Sequence, residues 1–236
     1  MLDYDKKFLI KSWDNLTFDG SSIRGFTAQR ESDLRLAMDW SAFYWAPADV
    51  FGSGKVLVFG EVIDKDGSPY RADIRGVLKG YASEQHKQKG YTLNAANEIE
   101  GFLFHGPDAE ARYHETAKFE YVNTGGYYHS LPGDPLRTFI DTSAEVQRAM
   151  GFQNEKDHPE VAPSQFEINY GYGEVVAAAD QIQLYKLICR QVATRMGLTA
   201  SFLPKPVVGV NGNGMHTNVS ISKGRPTSST RTATSW

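Results

Sequence analysis

Five side chains suited to holding divalent cations recur along this sequence. They are Glu98 and Glu100 in Asn97-Glu98-Ile99-Glu100, Glu160 and Glu167 on either side of Pro163-Ser164, and His216 after a glycine-rich stretch. In an extended strand successive side chains alternate faces, so Glu98 and Glu100 project the same way, roughly 7 Å apart. Two like charges on one inward face repel unless a proton or a cation lies between them. Either pair of acids alone reads most simply as solvated carboxylates. The two pairs together with an imidazole favour a hard-metal site built from oxygen ligands.

The elements that must position these groups are legible as well. A strand at about residues 91–104 carries Glu98 and Glu100, and a helix opened near Asp73 leads into it. If the arms around Pro163-Ser164 pair, Glu160 and Glu167 reach one site. After Asn211-Gly212-Asn213-Gly214, the residues His216, Asn218, Ser220 and Ser222 share one strand face, while Met215, Val219 and Ile221 share the other. Glycines there let backbone approach a ligand closely. Residues 56–62 are a strand-like apolar run followed by the turn chemistry of residues 65–69, and residues 118–128 read as a strand ending at Gly125-Gly126. Asp141-Thr142-Ser143 offers capping groups for a helix running to about Met150 and closed by Gly151. The plainest helix runs from Glu174 to Met196, with Ile182, Tyr185, Cys189, Val192 and Met196 on one stripe and Gly197 as its stop. On that stripe Cys189 reads as a small core residue. The thirteen residues from Gly224 contain no acid and no aliphatic side chain larger than alanine, and are expected to be disordered.

Composition narrows the class. With 41% hydrophobic and 22% charged residues, the 236-residue chain reads as an ordinary soluble globular protein, and a net charge of −3 points to neither nucleic acid nor a membrane as partner. One cysteine forms no internal disulfide, which favours a reducing, cytoplasmic setting. The first thirteen residues lack the apolar core of a signal peptide, and nothing approaches the ~20 apolar residues of a membrane helix.

Taken in order, these segments resemble the glutamine synthetase family. Phe18-Asp19-Gly20-Ser21-Ser22-Ile23, continued by Glu31-Ser32-Asp33, looks like the family's N-terminal latch motif. Asn97 to Phe104 resembles its metal-binding strand, Glu160 to Glu167 its paired-glutamate hairpin, and Pro204-Lys205-Pro206 with Asn211 to His216 its glutamate-binding signature. The resemblance implies an α+β fold: a β-grasp-like domain over residues 1–75, then part of a catalytic barrel of antiparallel strands with flanking helices over 76–223, then an aberrant tail over 224–236. It implies ATP-dependent ligation of ammonium to glutamate through a γ-glutamyl phosphate. Two or more Mg2+ or Mn2+ ions are implied per site, in a ring-shaped dodecamer for the full-length family. Glu100, Glu160 and Glu167 would hold the first cation, which positions glutamate, and Glu98 with His216 the second, which bridges the ATP phosphates. Asn211 and Gly212 would bind glutamate, and Glu155 the nucleotide. Tyr127 and Asp19 would form the ammonium site, Asp19 coming from a neighbouring subunit.

Departures from the family pattern set further expectations. Members are longer, so the chain is expected to be a truncated member lacking the C-terminal half of the catalytic domain and inactive alone. A shifted reading frame after residue 223 or a truncated gene would account for the tail. Phe166 stands where many members have His or Asn, and Pro159 replaces one histidine of a His-His-Glu run although His158 remains. A γ-glutamyl-amine or polyamine ligase and a non-catalytic pseudoenzyme are therefore the alternatives.

Overall fold

The computed structural model describes residues 16–129 and 132–223, and the tail expected over 224–236 lies outside these, as do the first fifteen residues. Two antiparallel sheets organise the chain. The smaller has the order β1 (Leu16–Asp19), β2 (Asp33–Trp45) and β3 (Val56–Ile63), with a one-turn helix α1 (Ala48–Phe51) between β2 and β3. Leu34, Val62 and Tyr70 form its own small cluster, while Ala46, Val50 and Phe51 belong to the main core.

Helix α2 (Ile74–Lys89) leads into β4 (Tyr91–His105), the spine of the larger sheet. Asp73 caps α2 by accepting from the Arg75 N–H, and Gly90 closes it in the left-handed region (φ 68°). Along one edge β4 pairs with β6 (Gln165–Tyr170) and the two-residue β7 (Gly173–Glu174), and along the other with β9 (Met215–Lys223) and β8 (Leu198–Ser201). β5 (Asn154–Pro159) pairs outside β6. Where the resemblance implied part of a barrel, the sheet is open: it has the antiparallel strands and flanking helices expected, without closure.

Alternation along β4 sorts its two faces. Ile99 and Leu103 enter the main core with α4 (Pro135–Ala149) and α5 (Val175–Arg195), where Leu136, Phe139, Tyr185, Ile188 and Cys189 are buried. Phe102 and Phe104 stack on the opposite face, 5.5 Å apart, with Phe119 stacked on Phe104 and α3 (Ala109–Thr116) alongside. Glu98 and Glu100 share parity with Phe102 and Phe104, so they lie on the face away from the long helices.

Two local expectations need correction. Helix α4 begins at Pro135 with Asp134 as its cap, six residues before the predicted Asp141. Proline at the first helical position and an aspartate before it form the stronger start signal. Asp141 instead pairs with Arg137, and Thr142 bonds back to the Thr138 carbonyl. Residues 118–128 form no strand: Tyr121 makes one isolated bridge to Phe104, and the segment is held by side-chain bonds described below.

Candidate metal centre

The sheet register converts sequence spacing into proximity. Glu100 stands directly opposite Glu167 across β4 and β6, and Glu98 directly opposite His216 across β4 and β9. Because β6 and β9 flank opposite edges of β4, the two acids two residues apart are drawn to different partners. Nδ1 of His216 lies 3.2 Å from Oε2 of Glu98, and the Asn218 amide donates to the other Glu98 oxygen at 3.2 Å. This pair is open to solvent.

Glu160 and Glu167 belong to the tight β5–β6 hairpin, where the Glu160 N–H donates to the Gln165 carbonyl at 2.7 Å. Ser164 shapes the turn in the left-handed region (φ 61°). Its buried hydroxyl accepts from the N–H groups of Val122 and Asn123 at 2.8 and 3.0 Å and donates to the Asn123 carbonyl at 3.0 Å. Asn123 in turn donates to Asp134, the cap of α4. One hydroxyl thus ties the hairpin to the 119–128 loop and to a helix terminus. That loop comes close enough that a Cβ at Gly126 would sit 3.0 Å from the Val161 carbonyl oxygen.

Gln165 is buried beside these acids. Its Nε2 lies 3.0 Å from each of Glu100 Oε2, the Gly212 carbonyl and Asn213 Oδ1, joining β4, the hairpin and the 202–214 loop. The Gly214 N–H donates to the same Glu100 oxygen at 3.0 Å. At Gly212 a side chain has no room, since a Cβ would lie 2.5 Å from the Pro204 carbonyl oxygen.

Electrostatics mark this cluster as short of positive charge. Burial first, then a hydrogen bond with Glu160 and the charges of Glu160, Glu100 and Glu98, pushes the Glu167 carboxyl up to about 8. The side chain of Glu167 is only 10% exposed, and no N–H donor from the described residues lies within hydrogen-bonding distance of it. Ligand atoms of His158, Glu160 and Glu167 all fall within 4.8 Å of one another. The Glu160 and Glu167 carboxyls with the His158 imidazole form a donor set that fits a divalent cation, and the Glu100 and Glu98 charges add to the negative field there.

The remaining predicted residues divide. Tyr127 comes to the hairpin, its ring edge-on to His158 at 5.1 Å, and its phenol is raised by partial desolvation and by the charges of Tyr128, Glu160 and Glu167. Asp19 does not. It ends β1 in the smaller sheet and caps its own turn, where bonds from Ser21 and Ser22 lower its carboxyl. Asn211 is exposed on the 202–214 loop, and Glu155 lies exposed toward the far end of β5. Phe166, singled out for acceptor specificity, points into the main core against Phe139 at 4.8 Å, so its identity acts on packing. Sequence reasoning missed Gln165 and Ser164. The available signals were the parity of Gln165 with Glu167 and the turn chemistry of Pro163-Ser164.

The family model described as glutamine synthetase, catalytic domain, matches residues 71–233. The chain belongs to the glutamine synthetase family. A glutamine synthetase of Methanosarcina mazei is 40% identical over 234 residues, covering 91% of this chain and 49% of the relative. One from Clostridium saccharobutylicum is 39% identical, covering 92% and 48%. The chain thus spans about half the length of the curated glutamine synthetases it matches. Among solved structures, the cryo-EM structure of Plasmodium falciparum glutamine synthetase superposes with a TM-score of 0.75 at 24% identity, over 91% of this chain and 46% of that one. A GmaS/ADP complex superposes at 0.77 with 22% identity, over 92% and 48%. Both likenesses speak to the fold.

Proposed function

We propose that this chain supplies cation-holding machinery for an ATP-dependent ligase that joins ammonium to glutamate through a γ-glutamyl phosphate. The observation that carries this reading is the register of β4, which sets Glu100 against Glu167 and Glu98 against His216. Moving a phosphoryl group onto a carboxylate brings two anions together, and positioning with charge neutralisation dominates such a step. Bound Mg2+ or Mn2+ supplies that neutralisation. Glu160 and Glu167, with Glu100 beside them, hold one cation, and Glu98 with His216 takes part in holding a second. Asn211 and Gly212 contact glutamate, and Glu155 contacts the nucleotide.

Tyr127 beside the acidic hairpin suits an ammonium pocket. Asp19, occupied in its own turn, serves the site of a neighbouring subunit in a cytoplasmic homo-oligomer. The second cation site offers Glu98 and His216 alone among the described residues, so the isolated chain binds cation without turnover.

The test is a chimera in which residues 16–223 replace the matching half of the M. mazei relative. It is assayed for ADP release with glutamate plus ammonium, against glutamate plus putrescine or ethanolamine. Ammonium-dependent ADP release that disappears in Glu167→Gln is expected. Turnover only with the larger amines would reassign the acceptor, and activity untouched by Glu167→Gln would overturn the assigned site.

A further inference from the structure

His158 is the penultimate residue of β5, which leads into the Glu160–Glu167 hairpin, and its imidazole faces both carboxylates. Nε2 lies 3.7 Å from Oε2 of Glu167, and Nδ1 lies 4.0 Å from Oε1 of Glu160. Nδ1 is also 2.9 Å from the Pro159 carbonyl oxygen. A carbonyl only accepts, so Nδ1 carries a proton, and in the neutral imidazole Nε2 is the nitrogen that keeps a lone pair. That lone pair looks at a nine-tenths buried carboxylate whose other neighbour is the Glu160 carboxyl. At 3.7 Å, Nε2 and Oε2 make no hydrogen bond to each other. They gain a great deal from a cation between them.

The spacing fits. Metal bonds of about 2.0–2.2 Å, at angles of 90 to 120°, place two donor atoms roughly 2.8–3.8 Å apart. Edge-on contact with Tyr127 supports the ring plane from the side. Glu100, by contrast, has one oxygen already taken by two N–H donors, Gln165 Nε2 and the Gly214 amide, each at 3.0 Å.

We propose that His158 is a direct ligand of the cation held by Glu160 and Glu167, so that this site offers one nitrogen with its oxygens. The inference rests on reading the hairpin as a cation site. Its consequence is a change of preference: an imidazole donor moves a carboxylate site away from Mg2+ and toward Mn2+, Co2+ and Zn2+.

The test titrates Mn2+ alone into the full 236-residue chain, following free Mn2+ by EPR and bound nitrogen by electron spin echo modulation. Nitrogen coupling is expected in the parent chain and in His216→Gln, which removes the other candidate imidazole. It disappears in the double variant His158→Gln/His216→Gln, with Mn2+ and Co2+ affinity lower than in His216→Gln by at least about tenfold and competition by Mg2+ little changed. Absence of nitrogen coupling in His216→Gln overturns the assignment without relying on any His158 variant. Coupling that persists in His158→Gln/His216→Gln overturns it too. If Glu167→Gln abolishes Mn2+ binding in either case, the hairpin site survives and only the ligand role of His158 falls. Mn2+ binding indifferent to Glu160→Gln and Glu167→Gln sinks both readings.

Discussion

Ser164 adopts a backbone conformation that most side chains avoid, and its hydroxyl explains why glycine does not stand there. The oxygen accepts two N–H groups and donates to a carbonyl of the neighbouring loop. Ser164→Ala removes these bonds and keeps the conformational strain, whereas Ser164→Gly removes the bonds and relieves the strain. The alanine variant is expected to be the less stable by about 1–2 kcal/mol, read from urea midpoints, with both below the parent. Cys189 offers a second test. Burial pushes its thiol up to about 12. Since the folded state favours the protonated form, this contribution to stability is present below the ordinary thiol range and is lost as pH rises through it toward 12. Alkylation at pH 8 is expected to be negligible in the folded chain and complete once urea unfolds it; rapid labelling without denaturant would contradict the buried placement. At this scale the acids and His216 were legible because strand parity fixes which side chains share a face. Gln165 was passed over because an uncharged amide does not announce itself as a partner of acids, although its parity with Glu167 places it on their face.

Arg75 shows how elements are joined. From the first turn of α2 its guanidinium reaches Asp180 on α5 at 2.7 Å and Asp39 on β2 at 2.9 Å, and it lies over the ring of Phe59 on β3. Lys79 adds contacts to Asp39 and Glu61. Asp180 and Asp39 have side-chain exposures of 3% and 8%, so removing the guanidinium strands the Asp180 carboxylate and leaves Asp39 to Lys79 and Ser41. Arg75→Met is expected to cost about 3–5 kcal/mol, with Arg75→Lys between it and the parent because an ammonium cannot span both acids in a fork. Equilibrium unfolding decides it; a loss below 1 kcal/mol would mean that solvent already screens the cluster. Helices α2 and α5 were legible from their caps and stripes. The 118–128 segment was misjudged because its composition suits a strand while the backbone N–H groups of Val122 and Asn123 bond to Ser164, 42 and 41 residues away in sequence. Helix α4 was found late because three polar residues in mid-helix imitate a cap.

Across the whole molecule, the sheet extends one strand beyond its helical cover. β9 pairs β4 through nine consecutive partners, and no second strand pairs it among the described residues. Met215, Val219 and Ile221 are more than half exposed on the helix side. A long, regular, apolar edge is prone to pair with further chains. Concentration-dependent light scattering is expected, and Val219→Lys should suppress it while leaving the far-UV spectrum unchanged; scattering equal in both would place the sticky surface elsewhere.

The two proposed cation sites lie on either side of β4, yet they close loops of very different length. His158, Glu160 and Glu167 lie within one hairpin, whereas Glu98 and His216 are 118 positions apart. Short loops close in well under a microsecond, and long-range strand pairing comes much later. During refolding the hairpin is therefore expected to recover Mn2+ affinity first, with the His216 contribution appearing only as β9 docks. Stopped-flow mixing of unfolded parent and His216→Gln chains into Mn2+ would separate the two phases. The metal then serves as a clock for the order in which the sheet is assembled.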